Sequence, residues 1–368
     1  MSKKTLFESK PVVLIGGLVI GGLAALLAAN GNPGNMAFCI ACFIRDMAGS
    51  VKLHQAAVVQ YFRPEIVGLV VGSFVVAVAT KEFKVTSGSS PLTRFLLGVC
   101  TAILALVFLG CPLRMLIRMS AGDLNAYVAC VGFVLGIVGG AFFLKKGYEL
   151  TDEKEEETTV AGYIMPVALI LILFLTLNEA TKAMFAFSES GPGSMHAPAI
   201  MSLVVALIIG GIALKSKTCF AGSIRNAIFT KDPTSFLSIL GIFIALLVYN
   251  IVAGKFKLTF EGQPIAHDDH LFNFISMFGV GLAATFAGGC PLRQLILTGK
   301  GGTDNAANVI GMLLGAAIAH NFGLASGAAV IKDGVRTGGT TPAGRVATFV
   351  CLAIVLVIGM SNTRKTNK

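Results

Sequence analysis

The chain has 368 residues, of which 55% are hydrophobic and 13% are charged, and its mean hydropathy is +0.80. A soluble domain carries about 25% charged residues, so this composition excludes an ordinary soluble protein and indicates an integral membrane protein whose main partner is the lipid bilayer. The formal net charge is +10, but the basic residues are dispersed and tryptophan is absent, which argues against a nucleic-acid partner.

Ten apolar runs along the chain approach the length of a membrane-spanning helix, which needs about 20 predominantly apolar residues. We therefore predict an all-α integral membrane protein with about ten transmembrane helices. The runs lie near residues 11–29, 65–80, 95–110, 124–144, 160–177, 197–214, 234–253, 271–289, 304–323 and 343–360.

The first run is longer than the apolar part of a signal peptide and no small-residue cleavage site follows it, so we expect it to be retained. Cytoplasmic loops of membrane proteins carry an excess of Lys and Arg. If both chain ends are cytoplasmic, most of the 29 basic residues fall on cytoplasmic segments. We therefore predict a multi-pass protein with both termini in the cytoplasm.

Several landmarks occur twice, at nearly the same spacing. The sequence Gly-Cys-Pro-Leu-Arg stands at residues 110–114 and again at residues 289–293. A Gly-x-x-x-Gly pair, a spacing that favours close helix packing, also recurs. These repetitions predict an internal duplication. The matched landmarks are Cys39 with Cys219, Arg45 with Arg225, Cys111 with Cys290, Gly132 with Gly311 and Gly136 with Gly315.

The duplication has a consequence for topology. If each copy contains five spans, an odd number, the second copy enters the membrane from the opposite side, which is the inverted repeat of many transporters. The acidic run near residues 152–157 is the one soluble-looking linker. We take it as the boundary, which gives an N-terminal repeat at residues 1–150, a linker at 151–159 and a C-terminal repeat at 160–368 that holds spans five to ten.

Four interruptions of the apolar pattern predict short half-helices. Proline suits the first position of a helix because its missing N–H would be unpaired there anyway. Cys111 and Cys290, each followed by proline, are therefore expected at the N-terminal ends of short helices. The segments at residues 38–45 and 218–225 are too short for full spans and are predicted to be further half-helices. Helix N-termini carry partial positive charge and suit anions.

Each interruption supplies one thiol and one guanidinium group. Arginine inside a membrane is costly, so it generally faces the protein interior or a water-filled cavity. Capping of helix ends would explain a single arginine better than four at matched spacing. We therefore predict a substrate path formed by Cys39, Cys111, Cys219 and Cys290 with Arg45, Arg114, Arg225 and Arg293.

Thiols in this setting support two mechanisms. A neutral thiol is a weak donor with a polarisable sulfur atom, and it can contact a sulfur- or selenium-bearing anion without repelling it. A thiolate, favoured by a helix N-terminus and a nearby arginine, would instead attack its substrate. The residues therefore leave open the passage of an anion through weak contacts and the transient covalent transfer of a sulfur atom.

Four other residues are possible members of the path. Cys42 forms a Cys-x-x-Cys pair with Cys39, which is a weak redox or metal signal, and no cofactor or metal ligand set is predicted. Asp304 and Asn305 most simply cap the ninth span. His320 lies inside a span, where a hydrogen-bonded packing role is the simplest interpretation. The remaining cysteines, at positions 100, 130 and 351, lie in apolar runs and are expected to pack as small apolar side chains.

The duplicated Cys-Pro-Leu-Arg segments and the elements at Cys39–Arg45 and Thr218–Arg225 resemble the YeeE/YedE family of sulfur-transport membrane proteins, over nearly the whole chain. In length and in its Cys39-x-x-Cys42 element, the chain resembles the selenium-associated YedE branch. The resemblance implies an hourglass-shaped helical protein of the bacterial inner membrane. It also implies relay cysteines at Cys39, Cys111 and Cys290, with Cys219 completing the symmetry, and a possible TusA-like cytosolic sulfur carrier as partner.

The leading hypothesis is therefore a transporter or channel, not an enzyme, for the uptake of a thiosulfate-like anion or its selenium counterpart. One alternative is a membrane sulfur or selenium transferase that uses a low-pKa cysteine and forms a transient persulfide. Another is a scaffold for a cytosolic sulfur carrier. Thiols and guanidinium groups do not distinguish sulfur from selenium.

Overall fold

The computed structural model describes residues 9–151, 153–156, 160–332 and 335–363. The predicted linker at residues 151–159 lies partly outside these ranges, as do both chain ends, for which a cytoplasmic position was predicted. Over the described residues the fold is mostly helical. The helices are α1 (Lys10–Ala29), α2 (Ile40–Ser50), α3 (Pro64–Ala79), α4 (Pro91–Phe108), α5 (Pro112–Ser120), α6 (Leu124–Lys145), α7 (Val160–Leu177), α8 (Ala199–Lys215), α9 (Phe220–Arg225), α10 (Phe236–Val252), α11 (His270–Phe286), α12 (Pro291–Gly299), α13 (Thr303–Asn321) and α14 (Pro342–Ser361).

Each of the ten predicted apolar runs overlaps one of the longer helices. Seven helical stretches of the described chain are long and apolar enough to cross a membrane, by length and composition. The helices α3 and α10 are apolar but shorter. The four remaining helices, α2, α5, α9 and α12, have between six and eleven residues and lie where short helices were predicted. The fold is thus a mostly helical one with long apolar helices typical of membrane-embedded proteins.

The described strands form two small antiparallel pairs. β1 (Thr86–Ser87) pairs with β2 (Lys154–Glu155), and β3 (Gly327–Lys332) pairs with β4 (Val335–Gly339). Both pairs lie in connections between helices, so the helices form the core.

The long helices pack in reciprocal pairs. α1 packs along α10 and α3 along α8, while α4 packs along α13 and α6 along α11. Glycines allow the close approach: a Cβ at Gly136 would collide with the carbonyl of Phe278 on α11, and one at Gly315 would collide with the carbonyl of Val99 on α4. Close packing at the recurring glycine spacing is therefore confirmed.

The central helices α4 and α11 run antiparallel. Arg94, at the beginning of α4, donates to the carbonyl oxygen of Ala287, just after the end of α11, at 2.9 Å. His267, just before the beginning of α11, hydrogen-bonds through Nε2 to the carbonyl oxygen of Val107, near the end of α4, at 2.7 Å. The segments that follow α4 and α11 therefore lie at opposite ends of this helix pair.

Candidate functional site

All four motif cysteines occupy the same position, the residue that precedes the first turn of a short helix. The prediction for Cys111 and Cys290 is thus confirmed. The residue two positions upstream of each cysteine has a positive φ, a conformation that non-glycine residues adopt only at a cost. The backbone therefore bends in the same way before every cysteine. The residues upstream are Ala37 (φ 45°), Leu109 (φ 64°), Lys217 (φ 51°) and Gly288 (φ 77°).

The cysteines fall into two pairs rather than one line. In the first pair, the sulfur atoms of Cys39 and Cys111 lie 3.7 Å apart, and both residues are buried. Cys42, one turn beyond Cys39, is also buried, and its sulfur lies 4.0 Å from the carbonyl oxygen of Leu109. All three are free thiols, so the first pair is part of a cluster of three.

Arg114 is fully buried beside this cluster. Its guanidinium donates to Cys42 Sγ at 3.2 Å, to the carbonyl oxygen of Asn35 at 2.9 Å and to that of Ile265 at 2.8 Å. Neutral acceptors therefore hold the charge, and no ion pair of Arg114 with a carboxylate occurs within the described part of the chain. A buried cation held in this way favours anionic groups nearby.

The connection between α10 and α11, residues 253–269, is hydrogen-bonded to two residues that lie near the first pair, Arg114 and Asn35. Besides the bond from Arg114 to Ile265, Asn35 donates to Gln263 Oε1 at 3.2 Å, and Gln263 donates to the carbonyl oxygen of Lys257 at 2.7 Å. Ile265 itself has φ 51°, an unusual value for a β-branched residue. We call residues 257–267 the covering loop.

Arg45 is occupied by an ion-pair network. Its guanidinium donates twice to Asp46 Oδ1, at 2.9 and 2.7 Å, while Arg63 donates to Asp46 Oδ2 at 2.8 Å. All three side chains are almost completely buried. Arg63 also donates to the carbonyl oxygens of Met195 and Pro192. Arg45 therefore has a structural role in this state, because its guanidinium is already paired with the carboxylate of Asp46.

The second pair consists of Cys219 and Cys290, whose thiols are neighbours. The backbone N–H of Phe220 donates to Cys290 Sγ at 3.4 Å, and that of Gly222 donates to Cys219 Sγ at 3.2 Å. Both donors belong to the first turn of α9, so the beginning of this one helix directs backbone N–H groups at both sulfur atoms.

A cavity of about 490 Å³ lies next to the second pair. Its lining includes Cys219, Ser223, Arg225, Asn226 and Arg293. Nη1 of Arg293 and Oγ of Ser223 are buried in the protein and have no hydrogen-bond partner. Nη2 of Arg225 lies 3.5 Å from Oδ1 of Asn226, at the limit for a hydrogen bond. Several polar groups around this cavity therefore have hydrogen-bonding capacity to spare.

The charges around this cavity are predominantly positive. Lys215 also lines it and is paired with Glu82 at 2.6 Å. Lys217 and Asp232 line it too, and each has a partner of its own. The guanidinium groups of the lining have no ion pair with a carboxylate among the described residues, so the cavity is suited to an anion.

The possible path residues have other surroundings. The ring of His320 stacks on that of His54 with centroids 4.7 Å apart, and its Nε2 is buried without a partner, so the expected hydrogen bond of a packing histidine is missing there. Asp304 accepts from the backbone N–H of Ser89 at 2.7 Å. Asn305 donates to Gln294 Oε1 at 2.7 Å.

The prediction that Asp304 and Asn305 cap the ninth span is wrong. α13 begins at Thr303, and Gly302 precedes it without a side-chain cap. The Asp304 side chain instead reaches Ser89, and the Asn305 side chain reaches Gln294 on α12. The tight turn after α12 brings the beginning of α13 against these two residues.

The other cysteines lie among apolar residues, as their sequence context predicts. Cys100 on α4 and Cys351 on α14 are buried neighbours, and Cys130 on α6 is half-buried. Within the described residues, no group of three His, Cys, Asp or Glu side chains has a geometry that could hold a metal ion.

Sequence reasoning missed several residues at these sites. Asp46 follows Arg45 directly, and the adjacency of opposite charges in an apolar segment was a usable signal. Ser223 and Asn226 were not distinguishable from ordinary helix residues. A second buried ion pair, from Arg118 Nε to Asp123 Oδ2 at 2.6 Å, was also missed.

The site thus offers two thiol pairs. The first lies beside the buried Arg114 and the covering loop, and the second lies beside the half-buried Arg293 and a cationic cavity. No protein-family model matches the chain, and no curated protein matches it.

Proposed function

We propose that this protein is a membrane transporter or channel for a small sulfur- or selenium-containing anion, such as thiosulfate or its selenium counterpart. One observation carries the proposal: two thiol pairs stand at the starts of short helices inside a largely apolar helical protein, and each lies beside an arginine. Arg114, beside the first pair, is fully buried, and Arg293, beside the second pair, is half-buried. A buried cation without a carboxylate lowers the cost of an anion, and a thiol is a soft, neutral contact for sulfur.

The packing of the helices supports an inverted repeat. α1 packs on α10 and α3 on α8, and these pairs exchange when the copies are exchanged; the same holds for α4 on α13 and α6 on α11. Counting α7 with the first copy and α14 with the second gives five spans in each, ten in all. The repeat boundary then falls after α7 rather than at the acidic run.

The position of the two pairs supports a path through the molecule. They lie at opposite ends of the antiparallel pair of α4 and α11, so a route that connects them would cross much of the apolar layer. An hourglass shape, a place in the bacterial inner membrane and cytoplasmic termini belong to the same proposal, which rests on the resemblance of the motifs to the YeeE/YedE family. A TusA-like carrier remains a candidate partner.

A sulfur-transferase function is the second candidate. The distance of 3.7 Å between the sulfurs of Cys39 and Cys111 favours it, because a sulfur atom carried by one thiol could pass directly to the other. In that reaction a thiolate would take the outer sulfur of thiosulfate and release sulfite.

Uptake into proteoliposomes tests the transport proposal. Purified protein in sealed vesicles should take up labelled thiosulfate, or a labelled selenium compound, faster than empty vesicles do. Cys111→Ser and Cys290→Ser should lower the initial rate at least tenfold, because serine is harder and less polarisable than cysteine. Cys351→Ser is the matched control, a buried cysteine on α14 outside both pairs, and should retain the rate. Equal losses in all three variants would contradict the path.

The same vesicles distinguish the alternatives. Transport delivers intact thiosulfate to the lumen, whereas transfer leaves sulfite and a persulfide on a cysteine, which mass spectrometry detects. A scaffold for a cytosolic carrier predicts neither, and it predicts unchanged growth on limiting sulfur or selenium when the paired cysteines are replaced by serine.

A further inference from the structure

The two copies differ at two positions that decide what their arginines bind. Counting 180 residues from Cys39 to Cys219 aligns Cys42 with Gly222 and Asp46 with Asn226. Both differences remove an acceptor side chain or a negative charge from the second copy. Cys42 and Asp46 lie on α2, whereas Gly222 lies on α9 and Asn226 directly follows it.

The first difference frees Arg293. In the first copy, Nη1 of Arg114 donates to the thiol of Cys42 at 3.2 Å. Its counterpart, Nη1 of Arg293, is buried and has no partner, and glycine stands where that thiol would be. The loss of one side chain therefore accounts both for the unpaired donor and for part of the space beside it.

The second difference frees Arg225. Its counterpart Arg45 makes two short hydrogen bonds to the carboxylate of Asp46. In the second copy the neutral amide of Asn226 replaces that carboxylate and lies 3.5 Å from Arg225. The charge of Arg225 is therefore not neutralised by its neighbour, and it lies on the wall of the same cavity as Arg293.

We propose that this cavity is a binding site for a small divalent oxyanion, in which Arg293 and Ser223 bind the anion at the base and Arg225 supplies charge from the wall. The proposal rests on the function proposed above and assigns the anion-binding step to the second copy. Nη1 of Arg293 and Oγ of Ser223 have neither a hydrogen-bond partner nor exposed surface in this state, so both donors would turn towards the cavity to bind an oxyanion. Because the cavity of about 490 Å³ is much larger than such an ion, the anion would share it with water.

The first copy cannot offer an equivalent site in this state. Arg114 already donates to a thiol and to two carbonyl oxygens, one of which belongs to the covering loop. The two copies therefore have different tasks, although their backbones bend alike before each cysteine.

Restoring the missing thiol tests the proposal most sharply. A Cβ at Gly222 would meet Cys219 Sγ at 3.3 Å, a contact that a small side-chain shift relieves. Gly222→Cys should give Arg293 the acceptor that Arg114 has, and should weaken anion binding at least fivefold. Gly222→Ala adds the same Cβ without a sulfur atom, so it is the matched control and should retain most of the affinity.

Binding is measured on the full-length detergent-purified protein, with labelled thiosulfate and labelled sulfate as probes and chloride as the competing monovalent anion. We expect saturable binding of both divalent anions, a loss of at least tenfold in Arg293→Gln, a smaller loss in Ser223→Ala, and weak competition by chloride. Size-exclusion chromatography verifies the fold of each variant, and Arg293→Lys serves if the glutamine variant does not fold.

This assay separates the site from transport. Binding that depends on Arg293 in a protein without uptake would overturn the transport function and leave the anion site standing. Uptake together with binding that is absent, or unchanged in Arg293→Gln, Arg293→Lys and Gly222→Cys, would overturn the site. Equal weakening by Gly222→Ala and Gly222→Cys would show that space rather than the thiol acceptor matters, and would overturn the assigned role of the missing thiol.

Discussion

The sulfur atoms of Cys39 and Cys111 lie 3.7 Å apart, although 72 residues separate the two cysteines in the sequence. The contact joins the beginnings of α2 and α5, and it exists because α4 carries the chain across the molecule to place α5 beside α2. The two thiols are free and buried, so this arrangement is open to chemical test.

Oxidative cross-linking should join Cys39 to Cys111. In a Cys42→Ser protein, which lacks the competing neighbour, treatment with diamide should remove one hydrogen from each thiol and form a disulfide between them. Mass spectrometry of the digested protein should find the two peptides linked, and a reductant should release them. Cys130, half-buried on α6, should stay unlinked. Links to Cys130 in comparable yield would contradict the structure.

Loss of the carboxylate in the network around Arg45 should strongly destabilise the protein. Asp46→Asn leaves Arg45 and Arg63 buried without a counter-charge, and breaking a buried pair in this way costs about 3–5 kcal/mol. Thermal unfolding in detergent measures the effect. Glu155→Gln, which breaks the exposed pair with Lys84, should cost less than about 1 kcal/mol. Similar melting temperatures for the two variants would refute the network's role.

Close packing of α6 on α11 should depend on Gly136 and not on Gly139, which lies one turn further along α6. Gly136→Ala places a methyl group against the carbonyl of Phe278 and should cost about 1–3 kcal/mol through overpacking. At Gly139, on the same helix, the nearest atoms to a new Cβ lie 3.9 Å away, so Gly139→Ala should leave the melting temperature nearly unchanged. If both variants melt alike, the helices do not approach as described.

His267 should contribute to stability in a pH-dependent manner. Burial in the connection before α11 lowers the pKa of its imidazole to about 4, against about 6.5 in an unfolded chain. Its contribution is therefore complete above pH 6.5 and is lost as the pH falls towards 4, by about 2 kcal/mol between pH 7.5 and pH 5.

Comparison with His267→Gln isolates this effect, because the other histidines are present in both proteins. The melting temperature of the wild type should fall further between pH 7.5 and pH 5 than that of the variant. An equal fall in both proteins would mean that His267 titrates normally and that its hydrogen bond to Val107 is not maintained.

Local sequence signals predicted much of the fold. The apolar runs located ten of the described helices, because a helix that packs in an apolar environment must be apolar over its length. The Cys-Pro dipeptides located the starts of α5 and α12 because proline fixes the first turn of a helix. The spacing of Gly132 and Gly136 predicted close packing for an equally local reason.

Contacts between distant segments were beyond these signals. Nothing near Arg114 in the sequence indicates that residues 257–267 cover it, and nothing near Cys39 indicates that Cys111 rather than Cys219 is its partner. Asp304 and Asn305 had the composition of helix caps, but the turn before α13 directs them to Ser89 and Gln294. These contacts depend on the tertiary packing of distant segments, which a local sequence pattern does not specify.

The unequal pairing of Arg114 and Arg293 makes the two ends of the molecule electrostatically inequivalent. A negative ion that travelled between them would meet the fully hydrogen-bonded guanidinium of Arg114 at one end and the unpaired donor of Arg293 at the other. The energy of the ion along this route would therefore be asymmetric. A passive conduit with such an asymmetry cannot accumulate its cargo, but it would show rectification, with different conductance in the two directions under equal and opposite gradients.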